Sequence, residues 1–266
     1  MAGGSPTGEG ARYPFLDRPA PVAIAHRGGA LEAPENTWAS FSHAVELGYR
    51  YIETDVHATA DGVVAVIHDP GIDRVSDRRG TVADLQWREV SQARVAGNET
   101  IPRLDELLAA WPQIRWNIDA KHEQVVAPLT EVIQRTNAID RVCVTSFSDR
   151  RIARLKRALG PSLCTGMGPR TIARLRGSSW LPAAAPSGMR WRDIGVTQVP
   201  LSYGRLTVVD RRFVAGAHRL GLAVHVWTID AEGPMDRLLD LGVDGIMTDR
   251  PTVLREVLRR RGEWDP

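Results

Sequence analysis

The sequence predicts an α/β fold, a (β/α)8 TIM barrel with a small insertion after the second strand. Three observations predict it. Short apolar runs that suit strands alternate with amphipathic runs from residue 22 onward. Alternation of this kind favours a parallel sheet covered by helices. The length, 266 residues with 43% apolar and 25% charged, suits one barrel domain.

Eight apolar runs supply the strands of the predicted barrel. They span residues 22–28, 51–58, 114–121, 141–147, 162–167, 194–200, 222–229 and 243–249. The run 63–69 follows the turn signal Asp61-Gly62 and is an extra early strand. Helical patterns lie at 35–48, 101–111, 123–136, 149–159, 207–220, 232–241 and 251–260. The alternative is an open doubly wound sheet, but the HRGG that follows the first strand lacks the spacing of its glycine-rich phosphate loop.

Three segments depart from this alternation. Residues 1–21 lack the basic and apolar regions of a signal peptide, and we expect a disordered leader before a single domain at 22–262. Residues 70–100 are polar and rich in turn residues, which predicts an insertion at the mouth of the barrel. Within 168–193 the stretch 178–188 is loop-like, so we expect at most a short helix there.

Composition excludes several classes of partner. The net charge is only +2, which gives no general electrostatic case for binding nucleic acid or a membrane surface. No run approaches 18 apolar residues, so we expect no integral membrane segment and a cytoplasmic location. Cys143 and Cys164 stand in apolar runs and are expected to be buried, not part of a disulfide scaffold. The sequence does not indicate which oligomeric state the protein has.

Polar and ionisable residues stand at the ends of the predicted strands. In a TIM barrel these ends meet at the face where active sites form. The residues are His26, Arg27, Glu53, Asp55, His68, Asp69, Asn117, Asp119, Lys121, Gln198, Trp227, Asp230 and Asp249. Because unpaired buried charge is costly, a plain core does not require so many ionisable groups. The pattern therefore indicates an active site.

Three of these residues are carboxylates that predict a metal site. Glu53 and Asp55 are two positions apart on one strand and face the same side, and Asp119 stands on the next barrel strand. Three converging carboxylates need a cation, and oxygen ligands select Mg²⁺ or Ca²⁺, with Mn²⁺ as a further candidate. The alternative is that each carboxylate pairs with a nearby arginine.

Two histidines and a basic turn complete the predicted chemistry. Because histidine side chains in general titrate near neutral pH, His26 and His68 suit general acid and base roles. Arg27 carries a planar donor fork that suits phosphate, and Gly28 and Gly29 allow the backbone to approach a ligand closely.

The motifs HRGG, PENT, ETDVHATADG and VIHDP occur in that order between residues 26 and 70. This set resembles the opening of the glycerophosphodiester phosphodiesterase family, and later motifs such as NIDAK and GIMTDRP extend the resemblance over residues 22–260. The resemblance implies a TIM barrel that uses one divalent cation to hydrolyse a glycerophosphodiester to sn-glycerol 3-phosphate and an alcohol. The nucleophile is either water or the neighbouring 2-hydroxyl.

The resemblance also implies roles for individual residues. His26 and His68 match the acid–base pair. The implied metal ligands are Glu53, Asp55 and Asp119, the last at a position where the family more often has Glu. The implied contacts to phosphate and glycerol are Arg27, Lys121 and Trp227, with Glu35 and Asn36 as supporting residues. Asp230 stands where Asn is common, which would add a negative charge near the anionic ligand. Gln198 is either a substrate contact or a structural hydrogen-bonding residue.

Other functions remain open. One is a lysophospholipase D-like enzyme for a larger lipid, contacted by the apolar residues of the insertion, Ile72, Val75, Val82, Leu85 and Trp87. Another is a catalytically silent barrel that binds a phosphorylated ligand. A metal-dependent lyase is a weaker alternative. We expect His57 and His122 to point away from the site and His225 to lie in the core. Asp249 either orients a site residue or caps the last helix, and the structural role is favoured.

Overall fold

The computed structural model describes residues 7–8, 11–179 and 193–266. Of the stretch 178–188, which was predicted to be loop-like, residues 180–188 lie outside the described residues. Residues 1–6 and 9–10 of the leader also lie outside them.

Eight parallel strands form a nearly closed barrel. The strands of the chain are β1 (Val22–Ala25), β2 (Tyr51–Ala58), β3 (Val64–Val66), β4 (Arg94–Val95), β5 (Glu99–Thr100), β6 (Arg115–Ala120), β7 (Val142–Thr145), β8 (Cys164–Thr165), β9 (Val196–Pro200), β10 (Ser202–Tyr203), β11 (Leu206–Thr207), β12 (Ala223–Trp227) and β13 (Gly245–Thr248). The barrel order is β8-β7-β6-β2-β1-β13-β12-β9, and β3 pairs antiparallel with β2. Between the two ends of this order, the Gly195 amide donates to the Thr165 carbonyl over 3.1 Å.

Helices follow each barrel strand, which confirms the predicted alternation. They are α1 (Trp38–Glu46), α2 (Trp87–Val90), α3 (Leu104–Ala110), α4 (Val126–Arg135), α5 (Asp149–Leu159), α6 (Pro169–Ser178), α7 (Arg211–Arg219), α8 (Glu232–Asp240) and α9 (Pro251–Arg261). Among the helices of the described residues, α2 alone lies outside the repeating unit. Helix α6 has ten residues, as many as α4, and it covers 169–178, ahead of most of the stretch predicted to be loop-like. Within the described part of the chain, no helix combines the length and apolar character needed to cross a bilayer.

Residues 13–16 of the leader form a 3-10 turn and its flank and are packed on the barrel, which corrects the prediction of disorder for this part of residues 1–21. Tyr13, Phe15 and Leu16 are buried and pack against strand residues of the barrel interior, including Ile24 and Tyr51. The Tyr51 hydroxyl donates to the Phe15 carbonyl over 2.7 Å, and the two rings meet edge to face. The apolar triplet at 14–16 is too short to show a period, so its burial was missed.

This packing predicts a large effect of one leader substitution on stability. Phe15→Ala should lower the free energy of unfolding by about 3–5 kcal/mol, because it empties a fully buried aromatic site. Urea unfolding would measure the change. Leu31→Ala is the control, since Leu31 is 60% exposed and should cost less than about 0.5 kcal/mol. Equal stability of Phe15→Ala and the parent would contradict the structural role of this segment.

The segment between β3 and α3 contains the predicted insertion at 70–100. It includes α2 and the short β4–β5 pair, and it has a small core of its own. Ile72 and Val82 are buried in that core, and Val75, Leu85 and Trp87 pack against it. These five residues therefore stabilise the insertion and do not form the exposed apolar surface considered for a larger lipid substrate.

Candidate active site

A cavity of about 950 Å³ opens at the carboxyl ends of the barrel strands. Nine predicted site residues line it: His26, Arg27, Glu53, Asp55, His68, Asp119, Lys121, Gln198 and Trp227. The two remaining predicted residues, Glu35 and Asn36, lie behind it and contact its wall. The strands thus bring together side chains from distant parts of the chain.

The HRGG motif forms a tight turn that presents His26 and Arg27 to this cavity. Strand β1 ends at Ala25, earlier than predicted, because His26–Gly28 forms one 3-10 turn. Arg27 has φ 51° and Gly28 has φ 82°, both in the left-handed region. A Cβ on Gly28 would lie 2.5 Å from Ser40 Oγ, so only glycine lets the turn pack on α1.

His26 is held between two carboxylates. Its Nδ1 lies 2.7 Å from Asp249 Oδ1, and its Nε2 lies 3.7 Å from Glu53 Oε2. Burial opposes the charged imidazole, but Glu53 and Asp249 outweigh it and raise the pKa of His26 above its usual value. Because Asp249 accepts the Nδ1 proton, Nε2 is the nitrogen left for chemistry.

His68 has a similar carboxylate partner. Its Nδ1 lies 2.6 Å from Asp69 Oδ1, and Arg74 Nε donates to the other oxygen of Asp69 over 2.5 Å. The hydrogen bond from Arg74 lowers the pKa of Asp69 to about 2, despite partial burial. His57, which was expected to point away from the site, donates from Nε2 to the His68 carbonyl over 3.1 Å.

A chain of ion pairs joins the two histidine regions. Arg74, from the insertion, donates to both oxygens of Glu35 over 2.7 and 3.0 Å. Glu35 also accepts from Arg27 over 3.2 Å. Arg27 Nε in turn lies 3.1 Å from Asp55 Oδ2 as an ion pair without a hydrogen bond. Glu35 therefore supports the site by fixing two arginines at once.

The three carboxylates lie around the single ammonium of Lys121. Lys121 Nζ is 2.7 Å from Asp55 Oδ1 and 2.7 Å from Asp119 Oδ2. Burial alone would raise the pKa of Asp55, but Lys121 and Arg27 hold it below its usual value. Burial and the neighbouring Asp55 raise the pKa of Glu53 to about 8. The three carboxylates would carry −3 if all were ionised, against +2 from Lys121 and Arg27, and the raised pKa of Glu53 shows that its ionised form is disfavoured beside them.

Asn36 fixes one member of this cluster. Its Nδ2 donates to Asp55 Oδ2 over 3.0 Å, and its Oδ1 accepts from Thr54 over 2.8 Å. The cap of α1 is supplied instead by Thr37, whose side chain accepts from the Ser40 amide. Asn36 is therefore a supporting residue of the carboxylate cluster and does not cap the helix.

The carboxylate cluster is the candidate metal site of the cavity. Within the described ranges, no three carboxylate, imidazole or thiolate groups are arranged to hold an ion. Two local features nevertheless suit a divalent cation. Asp119 Oδ1 is buried without a hydrogen-bond partner, and Glu53 is buried where its charge is disfavoured. The donor set is all oxygen, as hard cations prefer, so these residues fit the predicted ion.

Gln198 belongs to a polar layer at the floor of the cavity. Its Nε2 donates to Asn117 Oδ1 over 2.8 Å and lies 3.3 Å from His225 Nδ1. His225 is fully buried, as expected, and burial lowers its pKa to about 4. Gln198 therefore has a structural partner although it also lines the cavity.

The opposite wall of the cavity is apolar. Trp227 lines it and meets Phe147 edge to face, with ring centroids 6.1 Å apart. Met167, Ile172 and Val208 continue this wall. The cavity is therefore lined by both charged and apolar side chains.

Two residues need reinterpretation. Asp249 was expected to have a structural role, but it contacts His26, and the residue before α9 is Arg250. Asp230 was expected to add charge near the ligand. Instead its Oδ1 accepts from the Asp249 amide over 2.7 Å and from Thr248 Oγ1 over 3.0 Å. Asp230 thus holds the end of β13 in place.

Sequence reasoning missed the roles of Asp69 and Arg74, and it ranked the orienting role of Asp249 second to a structural one. Asp69 and Asp249 each stand at the end of a predicted strand, which was the available signal. Arg74 lies in the polar insertion, where nothing in the local pattern separates it from its neighbours. Its contacts with Glu35 span 39 residues and depend on the fold.

Fold and site together define a (β/α)8-barrel enzyme, because the ionisable groups converge at the carboxyl ends of the strands. Residues 26–253 match the model of the glycerophosphoryl diester phosphodiesterase family. The chain belongs to that family.

Individual relatives agree with this membership. A probable glycerophosphodiester phosphodiesterase 2 of Mycobacterium tuberculosis is 41% identical, over 99% of this chain and 98% of its own length. A human lysophospholipase D is 28% identical, over 88% of this chain and 85% of its own. The solved structure of an Oleispira antarctica phosphodiesterase, in complex with the product sn-glycerol-3-phosphate, is 25% identical with a TM-score of 0.75, covering 90% and 97% of the two chains.

Proposed function

We propose that this enzyme hydrolyses glycerophosphodiesters to sn-glycerol 3-phosphate and an alcohol, with His26 and His68 as acid and base and one divalent cation. The observation that carries the proposal is the pair of carboxylate-backed histidines on one cavity beside an acidic cluster. The Oleispira relative, whose structure holds sn-glycerol-3-phosphate, supports the glycerol part of the substrate.

The chain's own residues account for the proton transfers. Asp249 and Asp69 accept hydrogen bonds from the Nδ1–H groups of His26 and His68. Each Nε2 is then left to exchange a proton with the substrate. One histidine takes the proton of the nucleophile, water or the 2-hydroxyl. The other protonates the oxygen of the leaving alcohol. Arg27 and Lys121 line the same cavity and stabilise the negative charge of the phosphoryl oxygens.

Glu53, Asp55 and Asp119 would hold the cation. When bound, it supplies Lewis-acid stabilisation of the phosphoryl oxygens. The unpaired Oδ1 of Asp119 and the disfavoured charge of Glu53 support this assignment. Lys121 would then keep one partner, Asp55 or Asp119, and turn its other donors to the substrate.

The experiment is release of glycerol 3-phosphate from glycerophosphocholine by chelator-treated enzyme. Addition of Mg²⁺, Ca²⁺ or Mn²⁺ singly should restore turnover with at least one ion. Full turnover after chelation would reject the metal part of the proposal. Absence of turnover with every ion, on folded protein, would favour a larger lipid substrate first and the silent barrel second.

A second substrate class is favoured by the apolar wall of the cavity. Its volume of about 950 Å³ lies near the upper end of the roughly 300–1,000 Å³ common for ligand pockets. Met167, Ile172 and Trp227 offer contacts that a small polar headgroup does not use. A lysophospholipid would use them, and one relative is a lysophospholipase D. Comparison of kcat/KM for lysophosphatidylcholine and glycerophosphocholine decides between the two classes.

Asp249 provides a prediction specific to the histidine geometry. Asp249→Asn should lower kcat about 10²-fold with little change in KM, because the amide no longer fixes the Nδ1 proton of His26. Steady-state kinetics on glycerophosphocholine would measure it. Asp236→Asn, which removes a surface ion pair with Arg260, is the matched control. An unchanged kcat in Asp249→Asn would remove Asp249 from the mechanism.

A further inference from the structure

The mouth of the cavity carries an unusual concentration of exposed apolar side chains. Four large apolar residues are exposed within the part of the chain that the structure describes: Leu31, Phe147, Tyr203 and Leu206. The last three line the cavity and are 67%, 80% and 52% exposed. We call Phe147, Tyr203 and Leu206 the apolar rim. Exposed apolar groups that cluster in this way usually mark an interaction site.

The rim is presented by a fixed structure. Tyr203 and Leu206 lie opposite each other on the β10–β11 hairpin, which turns at Gly204 with φ 58°. The buried Arg176 donates to the Thr207 carbonyl from Nε and NH2 over 3.3 and 3.2 Å. It also pairs with Asp210 over 2.8 Å. The hairpin is therefore anchored at its base while its apolar residues face outward.

Three segments that contain rim residues or other cavity-lining residues differ in charge from the whole chain. Segments 147–150, 169–176 and 202–212 contain seven arginines and two aspartates, a net charge of +5. The whole chain has +2, so the remainder has −3. Both aspartates are engaged, Asp149 with Thr171 and Asp210 with Arg176. Six of the arginines are exposed: Arg150, Arg170, Arg174, Arg205, Arg211 and Arg212.

We propose that this face docks on an anionic lipid bilayer. Phenylalanine, tyrosine and leucine side chains enter the boundary between headgroups and acyl chains, and the surrounding arginines contact lipid phosphates. Charge complementarity selects this occupant, because a neutral apolar partner would not require the local excess of +5. The low net charge of the chain conceals the patch, since the opposing charge lies in other segments.

Docking in this orientation has a consequence for the substrate. The apolar rim and the cavity share Phe147, Tyr203 and Leu206, so the cavity mouth faces the bilayer when the rim is bound. Products of lipid breakdown then reach the site from the surface where they are released. This property is separate from the hydrolysis proposed above and is measured without turnover.

The test is co-sedimentation of the full chain with vesicles of phosphatidylcholine alone or mixed with phosphatidylglycerol. We expect binding to the mixed vesicles that weakens with salt. The double variant Tyr203→Asp/Leu206→Asp and the double variant Arg174→Glu/Arg205→Glu should each bind at least about tenfold more weakly. Leu31→Asp is the control, because Leu31 is equally exposed but does not line the cavity, and it should bind like the parent.

Three outcomes would overturn the proposal: no binding of the parent chain, equal binding to neutral and anionic vesicles, or equal loss in Leu31→Asp. The arginine variant keeps the test independent of the apolar substitutions if those impair folding, which thermal unfolding would reveal. Arg174 and Arg205 do not line the cavity, so turnover of glycerophosphocholine should stay at the parent level in that variant. Failure of docking with intact turnover would leave the proposed hydrolysis standing.

Discussion

Replacing His26 or His68 by alanine is expected to lower kcat about 10²- to 10⁴-fold while the chain keeps its fold. The physical reason is that the proposed mechanism assigns to each imidazole a proton exchange with the substrate. Glu53 Oε2 lies 3.7 Å from His26 Nε2, but Glu53 belongs to the acidic cluster.

The measurement is steady-state turnover of glycerophosphocholine, with circular dichroism to confirm folding. His43→Ala is the matched control, because His43 pairs with Glu32 on the surface of α1 and does not line the cavity. A loss limited to one of the two histidines would leave the other without a role in proton transfer. Parent-level kcat in both variants would reject the acid–base assignment.

Replacing Glu53 by Gln, or Asp55 by Asn, is expected to lower kcat/KM by about 10³-fold through loss of the cation, whose charge stabilisation amounts to several kcal/mol. Glu53→Gln should also leave the metal-free protein at least as stable as the parent near neutral pH. Burial and Asp55 raise the pKa of Glu53 to about 8, so its ionised form is disfavoured without a cation. A neutral amide removes that cost.

Activity, calorimetric titration with Mg²⁺, Ca²⁺ or Mn²⁺, and thermal unfolding of the metal-free protein would together measure this prediction. Glu46→Gln, an exposed carboxylate on α1, is the control and should match the parent in all three. Unchanged metal affinity in both Glu53→Gln and Asp55→Asn would place the cation elsewhere. Strong destabilisation of Glu53→Gln would show that Glu53 is mainly a structural residue.

The repeating part of the fold was accessible from sequence because each strand and helix has its own short-range pattern. The runs at 51–58 and 114–121 correspond to β2 and β6, with their ends within one residue. Strand β1 ends early because HRGG turns into the cavity, and that turn depends on packing against Ser40. The leader was mispredicted because its burial depends on a surface formed by other strands.

The candidate site could be predicted from the sequence where partners are close along the chain or share a strand face. Alternation on β2 places Glu53 and Asp55 on one side, and the structure puts both on the cavity. The contacts that orient the site residues could not be predicted from the sequence. Lys121 reaches Asp55 across 66 positions, and Asp249 reaches His26 across 223. No local pattern contains such pairs, since they arise from strand order.

The neighbouring placement of β1 and β13 ties catalysis to the completeness of the barrel. His26 leaves the first strand and Asp249 leaves the last, and the register pairs Ala25 with Thr248 just before them. During synthesis on a ribosome, His26 therefore emerges long before its partner exists. A nascent or truncated chain has His26 without the carboxylate that accepts its Nδ1–H. Under the proposed mechanism, hydrolytic competence would therefore appear only when the final strand docks beside the first.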